Sequence, residues 1–152
     1  MPEIAVHTHP EMKKMIEAKT IQDKDYQAEV CRLCGIEFDP DALAYAAVDS
    51  NTGELLAVSQ FRLCNDGFGE LVDVVATPDL SEKAESEYSL RNILFITGRA
   101  AMNFMDICGF HKARAVGTLS RDEALAKLLG FKPDPDGGWF CDLAHLFTGE
   151  HC

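Results

Sequence analysis

Basic residues are scarce in this sequence. Fourteen Lys and Arg stand against 25 Asp and Glu, a formal net charge of −11. Nucleic acid and anionic membranes need a basic face, so the balance argues against both as partners. Long apolar runs are missing too. No stretch is long enough to span a bilayer, and the first thirty residues carry none of signal-peptide length. Gly/Ser linkers, repeats and low-complexity segments are also lacking, and 152 residues read as one domain spanning 1–152. The cysteines, at 31, 34, 64, 108, 141 and 152, follow no disulfide-framework spacing. Without a secretion signal the expectation is six reduced thiols and a cytoplasmic location.

A second Cys-x-x-Cys pair is lacking as well. Cys31 and Cys34 stand alone, with His7 and His9 as the nearest further ligands, whereas a structural zinc needs four converging groups. On a helix the two thiols share a face and read as core residues, so no metal is expected. His151 and Cys152 lie at the C-terminal end and are assigned no role. Trp139 and Phe140 read as packing residues.

What is present is an uneven charge distribution. Residues 1–90 hold 7 basic and 18 acidic residues, residues 91–132 hold 7 and 3, and residues 133–152 hold none and 4. The only positive stretch therefore runs from Arg91 to Lys132, with Arg91, Arg99, Lys112 and Arg114 as its candidate receivers of a small anion; the plain alternative is a solvated face.

Periodicity and punctuation order the elements. Residues 2–7 read as a strand, 10–18 as a short helix opened by Pro10, and 20–34 as a helix stopped by Gly35. Strands follow at 43–49 and 54–63, joined by a Ser-Asn-Thr-Gly turn, and at Phe68–Thr77, stopped by Pro78. The acidic segment 79–87 reads as a loop. Leu90, Ile93, Leu94, Thr97, Ala101, Phe104 and Cys108 mark a long helix ending at Gly109. A strand at 112–117, a helix at Arg121–Leu129 capped by Ser120, and a hairpin of 131–133 with 138–143 complete the chain. This order predicts an α/β mixed sheet of about six to seven strands flanked by helices on both faces, with 69–77 and 112–117 as adjacent parallel strands.

Three local sequences carry a resemblance. Leu71-Val72-Asp73-Val74-Val75-Ala76-Thr77-Pro78, Gly109-Phe110-His111-Lys112-Ala113-Arg114-Ala115-Val116 and Glu123-Ala124-Leu125-Ala126-Lys127-Leu128-Leu129-Gly130-Phe131 resemble the fourth strand, the fifth strand and the Leu-Gly-Phe helix of GNAT N-acetyltransferases. The likeness runs from about Leu43 to the C-terminus, on the order of two-thirds of a domain of this size. Family members follow the proline with Arg/Gln-x-x-Gly-x-Gly/Ala, whose amides at a helix start bind the CoA pyrophosphate. Here Pro78 precedes four acids and one lysine, and the next glycine is Gly98. Counting back from Gly109 puts the pyrophosphate at Ser89, Arg91 and Asn92. A second alignment, less favoured, opens the helix at Thr97-Gly98-Arg99. The tyrosine that many members place before Leu-Gly-Phe is replaced here by Ala126 or Leu128.

The resemblance implies acetyl-CoA as substrate, the backbone of Val75 and Thr77 along the pantetheine arm, and Asp73 or Glu70 as the base for an amine. Alternation puts Asp73 on one strand face with Leu71 and Val75, and Glu70 on the other; either carboxylate also reads as a solvated strand residue. Two functions follow. One is an acyl-CoA-dependent N-acetyltransferase acting on a small-molecule or peptide amine, with room for a homodimer. The other is a GNAT-like domain without chemistry that binds or assembles.

Overall fold

The computed structural model describes residues 15–83 and 87–148, without the side chains of 81–83 and 87–89. The expected strand at 2–7 lies outside them, as do His7, His9 and residues 149–152. Among the described residues seven strands form one sheet in the order β1-β2-β3-β4-β5-β7-β6. They are β1 (Ile16–Ile21), β2 (Leu43–Asp49), β3 (Leu55–Leu63), β4 (Phe68–Ala76), β5 (Lys112–Ala115), β6 (Lys132–Pro133) and β7 (Trp139–Asp142). The helices are α1 (Lys24–Cys34), α2 (Pro78–Lys83), α3 (Glu87–Ile107), α4 (Glu123–Leu129) and α5 (Leu143–Thr148).

β4 and β5 pair in parallel from Phe68↔Lys112 to Leu71↔Ala115, with α3 as the crossover between them. The remaining pairs are antiparallel. Helices cover both faces. α1 buries Val30 and Cys34 against Ile21, Ala44, Ala46 and Val58. On the opposite face α3 sets Ala101, Met102 and Met105 against Phe61, Leu71 and Val74.

Several boundaries differ from the sequence expectation, each for a local reason. Residues 16–18 are strand rather than helix: Ile16, Ala18 and Thr20 alternate with charged neighbours, and β2 offers them an edge to pair with. Such pairing overrides the high helical propensity of Glu, Ala and Lys. α1 accordingly starts at Lys24, where Asp23 accepts the Asp25 amide at 3.0 Å. Gly35 closes it in the left-handed region, with Gly35 N–H donating to Arg32 O and Ile36 N–H to Cys31 O.

The acidic segment is not a loop at its start. Pro78 is the first residue of α2, and Thr77 Oγ1 accepts the Leu80 amide at 3.4 Å. Ser120 does not cap α4. Leu119–Arg121 form a 3₁₀ turn, Ser120 Oγ turns back to Gly117 O, and Asp122 caps the helix through the Leu125 amide. α5 is unforeseen; Asp142 accepts the His145 amide at its start, and Leu143 is wholly buried.

Candidate functional site

The site is organised by an irregularity in β4. Gln60 of β3 pairs with Asp73 and Phe61 with Leu71, so Val72 is an extra residue, a bulge. The bulge cancels strict alternation. Leu71 and Val74 both face the α3 side, while Asp73 opens toward α1. Glu70 opens that way too, reaching Arg62 and through it Asp39 of the α1–β2 loop. The two carboxylates therefore share a face, correcting the expectation that they lie on opposite ones.

Their environments differ. Glu70 accepts from Arg62 Nη2 at 3.1 Å and from Arg114 Nε at 2.9 Å. Burial alone would raise its pKa, but the two guanidinium bonds outweigh this and hold the carboxyl below its ordinary value. A carboxylate so engaged is a weak base. Asp73, 5% exposed, accepts from two neutral donors, Gln60 Nε2 at 2.9 Å and Thr118 Oγ1 at 2.6 Å. It lies in a cleft of about 390 Å³ walled by Glu37, Phe38, Asp39 and Pro40 on one side and Val72, Gly117, Thr118 and Arg121 on the other. The structure brings Asp73 into the cleft and leaves Glu70 outside its lining.

Beyond Leu71, β4 runs on while β5 ends, so among the described residues Val72–Ala76 have no strand partner on that side. Which backbone groups point there follows from the ladder. Thr77 N–H donates to Leu56 O at 3.0 Å, so Thr77, and Val75 two residues before it, turn toward β3. Val74 and Ala76 turn toward the open edge instead. This corrects the expectation that Val75 and Thr77 present their backbones there.

Arg91 and Asn92 are exposed early in α3. They line a hollow of about 180 Å³ with Phe95 and Leu128. A second, of about 340 Å³, lies between Arg91 and Leu94 and the start of α4. Leu128, rather than the buried Ala126, faces these hollows. Ser89 belongs to the first turn of α3, and its side chain is outside the described set. The other cations of the positive stretch differ. Arg99 donates to Leu129 O at 2.8 Å and lies over Phe95, with its helix unbroken through Gly98. Arg114 is bound by Asp66 and Glu70. Lys112 is an exposed residue of β5.

Cys31 and Cys34 are buried in α1 as free thiols. Burial, reinforced by the charge of Asp73, pushes Cys31 up to about 11. Among the described residues no group of three or more His, Cys, Asp and Glu could hold a metal. No described helix is long and apolar enough to cross a membrane.

No protein-family model and no curated protein matches the sequence. Solved structures do match. Spermidine N-acetyltransferase of Vibrio cholerae superposes with a TM-score of 0.60 at 9% identity, covering 89% of this chain and 98% of that one. IAA acetyltransferase of Bacillus cereus gives 0.58 at 16%, covering 79% of each. PaiA N-acetyltransferase of Thermoplasma acidophilum, solved with coenzyme A, gives 0.56 at 15%, covering 83% and 96%.

The fold is that of the GNAT N-acetyltransferases.

Sequence reasoning missed Gln27, Gln60, Arg62 and Thr118, the residues that set the states of Asp73 and Glu70. Gln27 and Gln60 had a signal: each is a polar residue in an otherwise apolar face, Gln27 before Val30, Cys31 and Cys34, and Gln60 beyond Val58. Thr118 had none.

Proposed function

We propose that the chain is an acyl-CoA-dependent N-acetyltransferase acting on a primary amine. The observation that carries this reading is the buried Asp73 carboxylate in its cleft, beside a β4 edge that has no strand partner among the described residues. In this reading the pantetheine arm lies along Val74 and Ala76, and its phosphates meet Arg91, Asn92 and the backbone at Ser89. The amine enters from the α1–β2 loop, and Asp73 receives its ammonium proton directly or through one water. The freed nitrogen bonds to the thioester carbonyl carbon and the C–S bond breaks. The nitrogen gives up its second proton to solvent to leave the neutral amide, and the CoA thiolate takes a proton from solvent. With Leu128 where many members have tyrosine, holding amine and thioester together supplies most of the acceleration. That same substitution favours the second reading, a binding or assembly domain without chemistry.

Acetyl-CoA separates the two. At a hundred times its dissociation constant a ligand adds about 2.7 kcal/mol to folded-state stability, and for this chain length the melting temperature should rise by roughly 5 °C. Arg91→Glu should remove the shift and change unliganded stability by less than about 0.5 kcal/mol. No shift with millimolar acetyl-CoA would leave only the binding domain.

A further inference from the structure

Behind Asp73 lies a chain of hydrogen bonds that no part of the reaction above uses. Lys24 Nζ donates to Gln27 Oε1 at 3.1 Å, Gln27 Nε2 to Gln60 Oε1 at 2.9 Å, and Gln60 Nε2 to Asp73 Oδ2 at 2.9 Å. Gln27, Gln60 and Asp73 are 0%, 1% and 5% exposed. The direction of the chain is forced at both ends. An ammonium only donates and a carboxylate only accepts, so each amide turns its oxygen toward Lys24 and its NH₂ toward Asp73.

Gln60 has no spare capacity. It donates to Glu37 O at 2.8 Å as well as to Asp73, and it accepts from the Asp39 amide at 3.1 Å as well as from Gln27. One side chain thus ties the wall of the cleft to its carboxylate. Thr118 Oγ1 holds the other oxygen, Oδ1. A base held by a direct cation would be in the position of Glu70, its charge already answered. Asp73 is held by neutral dipoles aligned head to tail, which strengthen one another while leaving its charge for an incoming group.

We propose that Gln60, backed by Gln27 and Lys24, is a positioning residue that orients Asp73 and the 37–42 loop together as the receiver of a protonated amine. This rests on the amine-acceptor reading of the cleft. An ammonium docking on Asp73 draws density from the carboxylate, and the change passes along the amides to Gln27, which lines no part of the cleft.

The test uses the whole chain and n-butylammonium chloride, titrated against sodium chloride of equal ionic strength, with the side-chain amide protons of Gln60 and Gln27 followed by NMR. Both amides should shift, Gln60 more than Gln27, and Asp73→Asn should abolish both responses. Lys24→Met, at an exposed residue outside the cleft lining that also donates to Ala42 O of the same loop, should weaken butylammonium binding by roughly two- to threefold. Glutamine amides that stay still, shifts that survive Asp73→Asn, or unchanged affinity in Lys24→Met would each overturn the proposal. Butylammonium binding needs no acyl-CoA, so its failure leaves the acetyl-CoA shift standing, and loss of that shift leaves this result standing.

Discussion

The two sides of β4 are built differently. On the α1 side the polar groups that hold Asp73 in place are answered within the fold: Gln60 four times over, Asp73 twice, and Arg62 by both Asp39 and Glu70. On the α3 side Arg91 and Asn92 are exposed, with no hydrogen-bond partner among the described residues, over hollows walled largely by leucine and phenylalanine. The first side draws mainly on the acidic portion of the sequence, with Arg114 and Thr118 added from the basic stretch, and the second on that stretch. A buried polar network must be complete because each unmet group costs its full desolvation. An exposed anion-receiving face has no such demand, since water satisfies it until a ligand arrives. The proposed acceptor side is thus preassembled, and the proposed donor side is completed by what binds there.

The largest expected effect tests whether the two sides are separable. Asp73→Asn should lower acetyl-CoA turnover with a primary amine by about 100-fold or more while leaving the acetyl-CoA thermal shift unchanged. Loss of both together would collapse the distinction.

Stability comes next. Gln60→Leu strips partners from the Asp39 amide and the Glu37 carbonyl and leaves Gln27 and Asp73 short of one bond each. The expected cost is about 3 kcal/mol, a fall in melting temperature of roughly 6–12 °C. Asn92→Leu on the donor side should cost under about 0.5 kcal/mol. Urea melts of both variants compare the sides directly, and equal costs would refute the contrast.

Glu70 sharpens the picture through pH. Its carboxyl is held below its ordinary value in the fold, so the stabilisation is complete above the unfolded value and is lost as pH falls through the folded one. Glu70→Gln should therefore cost about 1–3 kcal/mol at neutral pH, and the difference should fade in acid. A gap that persists at low pH would mean the residue acts through packing.

The smallest effect is chemical reactivity. Burial pushes Cys31, Cys34 and Cys141 up to about 11, so a thiol reagent at pH 8 should leave them unmodified while the exposed Cys108 reacts. Rapid labelling of Cys31 would show that the α1 side opens readily.

Periodicity and turn residues by themselves determined most of the element order. Strands at 43–49 and 54–63, the long helix closing at Gly109 and the β4–α3–β5 crossover were all legible, because amphipathic spacing and glycine or proline stops are local properties. The charge step at Arg91 was equally plain, being a matter of counting. Asp73 could be named, beside Glu70, from the resemblance of its strand to the fourth strand of the GNAT family, but its face could not. The Val72 bulge is settled by how β3 and β4 pair, and one inserted residue reverses every side chain beyond it. The same holds for Ile16–Ala18, which are strand only because β2 lies beside them. Only the tertiary structure decided which carboxylate meets guanidinium groups and which meets neutral amides, since Gln27, Gln60, Asp73 and Thr118 come from four separate elements. Local sequence carries the propensities of each element; the hydrogen-bond partners of a buried charge exist only once those elements are packed together.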